Sequence, residues 1–108
     1  MHKFLVLYRS KMSAAEQMAN STPEEAEAGM AAWTAWGAGA GEALVDWGAP
    51  TQPTSDDDPG PAGWVGGYSI LQAEDLAAVQ ALLASHPHLQ AGTIEVLQLL
   101  DMPGSQDG

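Results

Sequence analysis

The chain of 108 residues has no cysteine and only three basic residues, Lys3, Arg9 and Lys11. Without cysteine it can form no disulfide framework, thiolate nucleophile or cysteine-ligated zinc site. Its 14 carboxylates all follow the basic residues and leave a net charge of −11. Because such a surface repels phosphate backbones and anionic headgroups, we expect neither nucleic acid nor a membrane as a partner. The ordinary role of this acidity is solubility.

The sequence also lacks a long apolar run. Its first apolar stretch, residues 4–8, is too short for the core of a signal peptide and far too short to span a bilayer. We therefore expect a cytoplasmic protein. At this length the chain should form one domain, residues 1–102, followed by a flexible polar tail, residues 103–108.

Common motifs of catalysis and cofactor binding are missing as well. The sequence contains no P-loop, dinucleotide fingerprint, nucleophile elbow or zincin motif. The run Asp56-Asp57-Asp58 lacks the glycine and the closing glutamate of a calcium loop, so we interpret it as a solvated turn. We accordingly predict no cofactor and no metal site.

What the sequence does contain is an alternation of strand and helix patterns. Runs of apolar and β-forming residues predict strands at residues 3–9, 43–47, 64–72 and 93–100. Residues 10–21 are predicted to be irregular or weakly helical. The prolines and aspartates of residues 51–63 predict an exposed loop.

Two helices are predicted between the strands. The first should begin after Thr22 and end near Gly41, since Pro23 suits the first helical position and Glu25 completes a capping box. The second should run from its cap Asp75 to residue 85. Their three-to-four spacing predicts two buried faces, which consist of Ala26, Met30, Trp33 and Gly37 in the first helix and Leu76, Val79, Leu82 and Leu83 in the second.

The order β-α-β-β-α-β predicts an α+β, ferredoxin-like fold, with a four-stranded antiparallel sheet and both helices on one face. The first strand is nevertheless apolar on both of its faces, with Val6 on one face and Leu5 and Leu7 on the other. The last strand repeats this pattern. A sheet with one face in water should alternate apolar with polar residues, so we predict a homodimer that packs sheet face to sheet face.

Several segments of the chain resemble the YCII-related (DGPF-like) family. They are GGYSILQAEDLAAVQALL and GTIEVLQLL in the C-terminal half, and KFLVLY and ALVDWGAP before them. The resemblance implies a dimeric α/β barrel. It also implies a proposed catalytic His-Asp pair with its histidine on the first helix, and one relative is a dehydrochlorinase of a chlorinated aromatic. Here residues 29–33 contain no histidine and residues 39–41 no aspartate, so that pair does not carry over.

The candidate catalytic residues are His86, His88 and Asp46. In an extended segment the two histidines would point to the same side and could share a ligand or move protons. Alternatively, His86 contacts the carbonyl end of the preceding helix and His88 packs beside Leu89. Asp46, within an apolar run, could be a general base that pairs with a histidine, or an ordinary edge-strand charge. Glu95 allows the same two interpretations.

The candidate ligand-binding residues are aromatic. Flat side chains on strands and helices would suit an aromatic ligand in a cleft between the sheet and the helices. We assign this role to Tyr8, Trp36, Trp47, Trp64 and Tyr68, and we expect Trp33 in the core.

Three functions are compatible with these features. The first is a small dimeric protein that binds an aromatic or apolar metabolite. The second is an enzyme of lyase or isomerase type that uses His86 or His88 with Asp46 for proton transfer. The third is a non-catalytic accessory or regulatory protein.

Overall fold

The structure is a computed structural model that describes residues 1–100, with the backbone alone for Ala14 and Ala15. Four strands and three helices follow one another in this part of the chain: β1 (His2–Ser10), α1 (Ala14–Asn20), α2 (Pro23–Ala40), β2 (Leu44–Asp46), β3 (Trp64–Ala73), α3 (Leu76–Leu83) and β4 (Thr93–Gln98). Two 3-10 turns occupy Gly41–Ala43 and Pro87–Gln90. The predicted tail lies outside the described residues.

The four strands form one antiparallel sheet in the order β2-β3-β1-β4. Val6, at the centre of β1, lies opposite Ser69 of β3 and Val96 of β4. This confirms the α+β prediction, and the order is consistent with a ferredoxin-like fold.

The helices begin where their capping residues predict. Thr22 and Glu25 form the capping box at the start of α2, and the Asp75 carboxylate accepts the Ala78 N–H at the start of α3. α3 ends two residues earlier than predicted, at Leu83. The segment expected to be irregular or weakly helical contains α1, which has a capping box of its own between Ser13 and Glu16.

The second strand is shorter than predicted. The 3-10 turn Gly41–Ala43 takes its first residue, and a turn in which the Asp46 carboxylate accepts the Gly48 N–H ends it. Only Leu44–Asp46 therefore pairs with β3, and the register shifts between these two residues.

The core lies between the sheet and the helices. It consists of Phe4, Val6, Tyr8, Leu71, Ala73, Val79 and Leu83. Because β1 contributes three of these side chains and is paired on both edges, it is the strand on which the core is built.

The predicted buried faces of the helices are only partly buried. In α2, Gly37 is buried and Trp33 half-buried, but Ala26 is exposed and Met30 is 71% exposed. In α3, Leu76 is also exposed. The expectation is wrong for Ala26 and Met30 because their stripe of α2 borders a cavity instead of packing on the sheet.

The opposite face of the sheet retains apolar side chains at the surface. Leu5 and Leu7 are half-buried, and Leu97, which lies opposite Leu5, is 44% exposed.

None of the helices in the described part of the chain combines the length and the hydrophobicity of a transmembrane segment.

Candidate functional site

A cavity of about 570 Å³ lies between α2, the sheet and the segment that follows β2. Its volume falls within the range of small-molecule sites. α2 contributes a stripe of residues that repeats every three to four positions, Ala26, Gly29, Met30, Trp33 and Thr34. The other lining residues come from β1, α1, β3, the segment after β2 and the turn after α3: Tyr8, Ser10, Gln17, Trp47, Gly48, Ala49, Pro50, Gly66, Gly67, Tyr68 and His88.

Two glycines hold Trp47 at the wall of this cavity. Gly37 of α2 is so close to the Trp47 indole that a Cβ at residue 37 would overlap the ring. Gly48 has a φ of 77°, and a Cβ there would overlap the carbonyl oxygen of Tyr68. Because glycine adopts positive φ without strain and lets two backbones approach, the chain can turn directly after Trp47.

A hydrogen-bonded chain connects the cavity wall to the core. The Tyr8 hydroxyl donates to Ser69 Oγ at 2.8 Å, and Ser69 Oγ donates to the Trp47 carbonyl at 2.9 Å. Burial raises the pKa of Tyr8, although the hydrogen bond with Ser69 acts in the opposite direction. Tyr8 is therefore a neutral phenol, and it serves as an aromatic surface and a hydrogen-bond donor.

His86 lies beneath the cavity as a buried neutral imidazole. The side chain is 2% exposed, and its ring centroid is 4.4 Å from those of Trp33 and Trp36 and 4.9 Å from that of Tyr8. Its Nδ1 accepts the backbone N–H of His88 at 3.0 Å, so the ring proton resides on Nε2, which is buried without a hydrogen-bond partner in the described structure. Burial, together with a smaller contribution from repulsion by the His88 imidazole, lowers the pKa of His86 to about 4.

His88, two residues later, lines the cavity. Its Nε2 lies 2.9 Å from the backbone oxygen of Arg9. A carbonyl oxygen only accepts hydrogen bonds, so Nε2 carries a proton and donates it. The other ring nitrogen, Nδ1, makes no hydrogen bond to residues 1–100.

Among the described residues, Asp46 makes no hydrogen bond or ion pair with either histidine of the turn after α3. Its exposed carboxylate accepts the Gly48 N–H at 2.7 Å, and Asp46 is absent from the cavity lining. Glu95 pairs with Arg9 at 3.2 Å. A catalytic role for Asp46 stays a prediction to which these contacts add nothing.

The predicted aromatic residues have different positions. Tyr8 and Trp47 line the cavity. Tyr68 borders it, although its register opposite Leu7 assigns it to the other face of the sheet. Trp36 lies outside the lining, where its Nε1 donates to the Leu82 carbonyl at 2.9 Å and joins α2 to α3. Trp64 pairs with Ser10 at the start of β3 and is also outside the lining.

Sequence reasoning missed several lining residues. Trp33, expected in the core, forms part of the cavity wall and meets the Tyr8 ring edge to face, with the centroids 4.7 Å apart. Gln17 donates to Ser10 Oγ at 2.7 Å, and both residues line the cavity. The capping pattern at Ser13 and Glu16 was the signal for α1, the helix that carries Gln17.

The lining contains no aspartate, glutamate, lysine or arginine. In a chain with a net charge of −11, this makes the cavity an uncharged, largely apolar surface within an acidic molecule. Among the described residues, no group of three or more histidine, aspartate or glutamate side chains is arranged to hold a metal ion.

Comparison with known proteins yields one result. No curated protein matches the chain significantly. The family model of the YCII-related domain, by contrast, matches residues 3–103, nearly the whole chain. The protein is therefore a member of the YCII-related family.

Proposed function

We propose that the protein binds a small, planar, uncharged aromatic molecule in the cavity beside α2. The observation that carries this proposal is an uncharged cavity of about 570 Å³ with the rings of Tyr8, Trp33 and Trp47 in its lining. Aromatic rings that meet edge to face or offset contribute about 0.5–1.5 kcal/mol per pair beyond the area that they bury.

Polar groups in the lining of the cavity can orient such a ligand. Ser10 and Gln17 lie beside one another, and Thr34 lies on the α2 stripe. Ligand sites typically combine an apolar wall with a few polar groups of this kind. The net charge of −11 disfavours anionic ligands, since the lining offers neither lysine nor arginine as compensation.

A lyase or isomerase is the second candidate, and His88 favours it. A histidine in a cavity wall can transfer protons near neutral pH. This version uses His88 without Asp46, because the carboxylate of Asp46 is held by its own turn. His86 is too buried to meet a substrate. A regulatory role and a cytoplasmic location stay predictions.

We also propose that two copies associate through the sheet face opposite the helices. Leu5, Leu7, Ile70 and Leu97 share this face by register. Leu97 is 44% exposed in the single chain, and burial of apolar surface contributes about 25 cal/mol per Å². A second copy would cover apolar side chains that are otherwise in contact with water.

Ligand binding can be tested by filling the cavity from α2. Thr34 lines the cavity, whereas its neighbour Ala35 is exposed and outside the lining, so Thr34→Trp and Ala35→Trp form a matched pair. Isothermal titration calorimetry should show that indole binds to the wild type and to Ala35→Trp. Thr34→Trp should bind indole at least about tenfold more weakly, because the new side chain occupies the ligand's space.

Cyclohexanol, which has a similar size but no aromatic ring, serves as the ligand control and should bind more weakly than indole. The proposal is overturned if indole does not bind to the wild type, or if the two tryptophan variants lose binding equally.

A further inference from the structure

The two histidines of the turn after α3 both carry their proton on Nε2, but their ring nitrogens have different partners. His86 presents its Nδ1 lone pair to the His88 N–H, whereas His88 donates its Nε2 proton to the Arg9 carbonyl. In its neutral form His88 therefore has its lone pair on Nδ1, because an imidazole carries a single proton when neutral. The main chain of β1 thus fixes which nitrogen of a cavity residue is basic.

The surroundings of His86 keep it neutral, which leaves His88 as the proton acceptor of the pair. It is enclosed by the rings of Tyr8, Trp33 and Trp36 and cannot bind a second proton without losing its acceptor role toward His88. Repulsion between two imidazoles also disfavours double protonation. Of this pair, His88 is the member that can accept a proton from a molecule in the cavity.

We propose that His88 Nδ1 is the specificity-determining acceptor of the cavity, and that it selects aromatic ligands that carry an acidic hydrogen-bond donor, a ring hydroxyl or a ring N–H. This inference rests on the proposed binding of an aromatic molecule. When the donor is acidic enough, its O–H or N–H bond breaks as the Nδ1–H bond forms. The products are an imidazolium and the ligand anion, and no further reactant is needed.

The surroundings of His88 are compatible with this transfer. β1 contributes Tyr8, whose ring centroid is 5.4 Å from that of His88, and Arg9, whose guanidinium is paired with Glu95. The turn itself contributes His86, which packs against Tyr8 and Trp33 outside the lining. Tyr68 of β3 borders the cavity, and its register assigns it to the other face of the sheet. The cavity-lining residues of α2 include no titratable side chain. No carboxylate in the lining competes with the ligand for the new charge on His88.

The charge of the chain favours a donor that arrives neutral. A carboxylic acid is already ionised at neutral pH and meets a molecule of net charge −11. A ring hydroxyl or N–H enters without charge and gives up its proton only beside His88. The resulting ion pair forms in a partly desolvated site, where charge-assisted hydrogen bonds are strongest.

The test compares probes that differ in a single methyl group. The contribution of a ring hydroxyl is measured by comparing 4-nitrophenol with 4-nitroanisole. The contribution of a ring N–H is measured by comparing benzotriazole with 1-methylbenzotriazole. For at least one pair, the donor should bind about fivefold or more tightly than its methylated form in isothermal titration calorimetry. In addition, bound 4-nitrophenol should show the absorbance of its phenolate at a pH where the free probe is protonated.

His88→Gln is the informative variant, since an amide can still donate to the Arg9 carbonyl but cannot take up a proton. It should remove the phenolate absorbance and bring the affinities of each probe pair together. His2→Gln, which replaces the exposed histidine of β1, should behave like the wild type.

The outcomes separate this inference from the proposed function. If donors and methylated probes bind the wild type equally, the role of His88 is refuted while aromatic binding stands. If none of the four probes binds, both proposals fail. Because these comparisons use the wild type, they remain decisive even if His88→Gln does not fold.

Discussion

At the scale of single residues, the chain treats two histidines separated by one proline in opposite ways. His86 caps the 3-10 turn from a buried position, and His88 emerges from the same turn into the cavity wall. The difference follows from Pro87, which starts the turn and so ends the extended geometry that would have placed both rings on one side.

Burial of His86 couples folding to pH. Its pKa is lowered from 6.5 to about 4, so between these values the unfolded chain binds a proton that the folded chain does not. Stability should therefore fall as the pH falls through this window and change no further from this source below it. The shift from 6.5 to about 4 corresponds to roughly 3 kcal/mol.

His86→Asn tests this coupling, because asparagine also caps turns by accepting a backbone N–H but does not titrate. Urea unfolding at about pH 7 and about pH 4 should show a smaller loss of stability in the variant than in the wild type. His2→Asn should retain the wild-type pH dependence. Equal pH dependence of the wild type and His86→Asn would contradict a neutral, buried His86.

The sequence predicts that chemistry concentrates at the histidine corner, but it cannot predict the proton arrangement. The acceptor that fixes His88 is the carbonyl of Arg9, 79 residues away in the chain, and only the pairing of β1 with β4 brings it there. The same limit applies to Asp46. Its local turn with Gly48 decides its contacts, whereas the apolar run around it suggested an inward side chain.

At the scale of elements, α2 shows how a correct periodicity can be misinterpreted. Its apolar stripe was expected to be buried, but Ala26 and Met30 are exposed and border an open cavity. A three-to-four spacing reports which residues share a face of the helix, and it does not report whether protein or a ligand covers that face. Met30 distinguishes a face covered by protein from a face open to a ligand, because its side chain is exposed.

The glycines near the end of α2 permit a matched test. Gly37→Ala should displace the ring of Trp47. The added ligand indole should then bind about fivefold more weakly, because it loses its aromatic contact with Trp47. Nothing lies within 4 Å of a Cβ built at Gly39. Gly39→Ala should thus leave binding unchanged and stabilise the helix by about 0.5 kcal/mol.

Calorimetric titration with indole measures the change in affinity, and thermal unfolding measures the change in stability. Unaltered indole binding in Gly37→Ala would show that Trp47 has no part in the site.

At the scale of the whole molecule, the fold was the most predictable property. Strand positions, capping residues and the β-α-β-β-α-β order all follow from local patterns, and the observed antiparallel order β2-β3-β1-β4 agrees with them. The cavity was less predictable, because residues from β1, α1, α2 and β3 line it together. Neighbours of this kind are created by topology and leave no local signal in the sequence.

The proposed dimer predicts a change in mass when its sheet face is charged. The chain has a mass of 11.2 kDa, and light scattering after gel filtration should give twice this value for the wild type. Leu97→Lys should shift the protein toward the single-chain mass, because it introduces an unpaired charge into an apolar contact. Met18→Lys on α1, which is also exposed and apolar but lies on another surface, should remain dimeric.

A wild type that keeps the single-chain mass at micromolar concentrations would rule out the dimer.

The uncharged lining of the cavity favours the neutral form of a dissolved weak acid over its anion. The exterior of the chain repels anions, and the cavity offers neither lysine nor arginine to receive them. This arrangement resembles extraction from water into an organic phase, in which only the protonated form of an acid crosses the boundary. Occupancy would then follow the concentration of the neutral form, so the acidity of the surroundings would set how much ligand the protein holds.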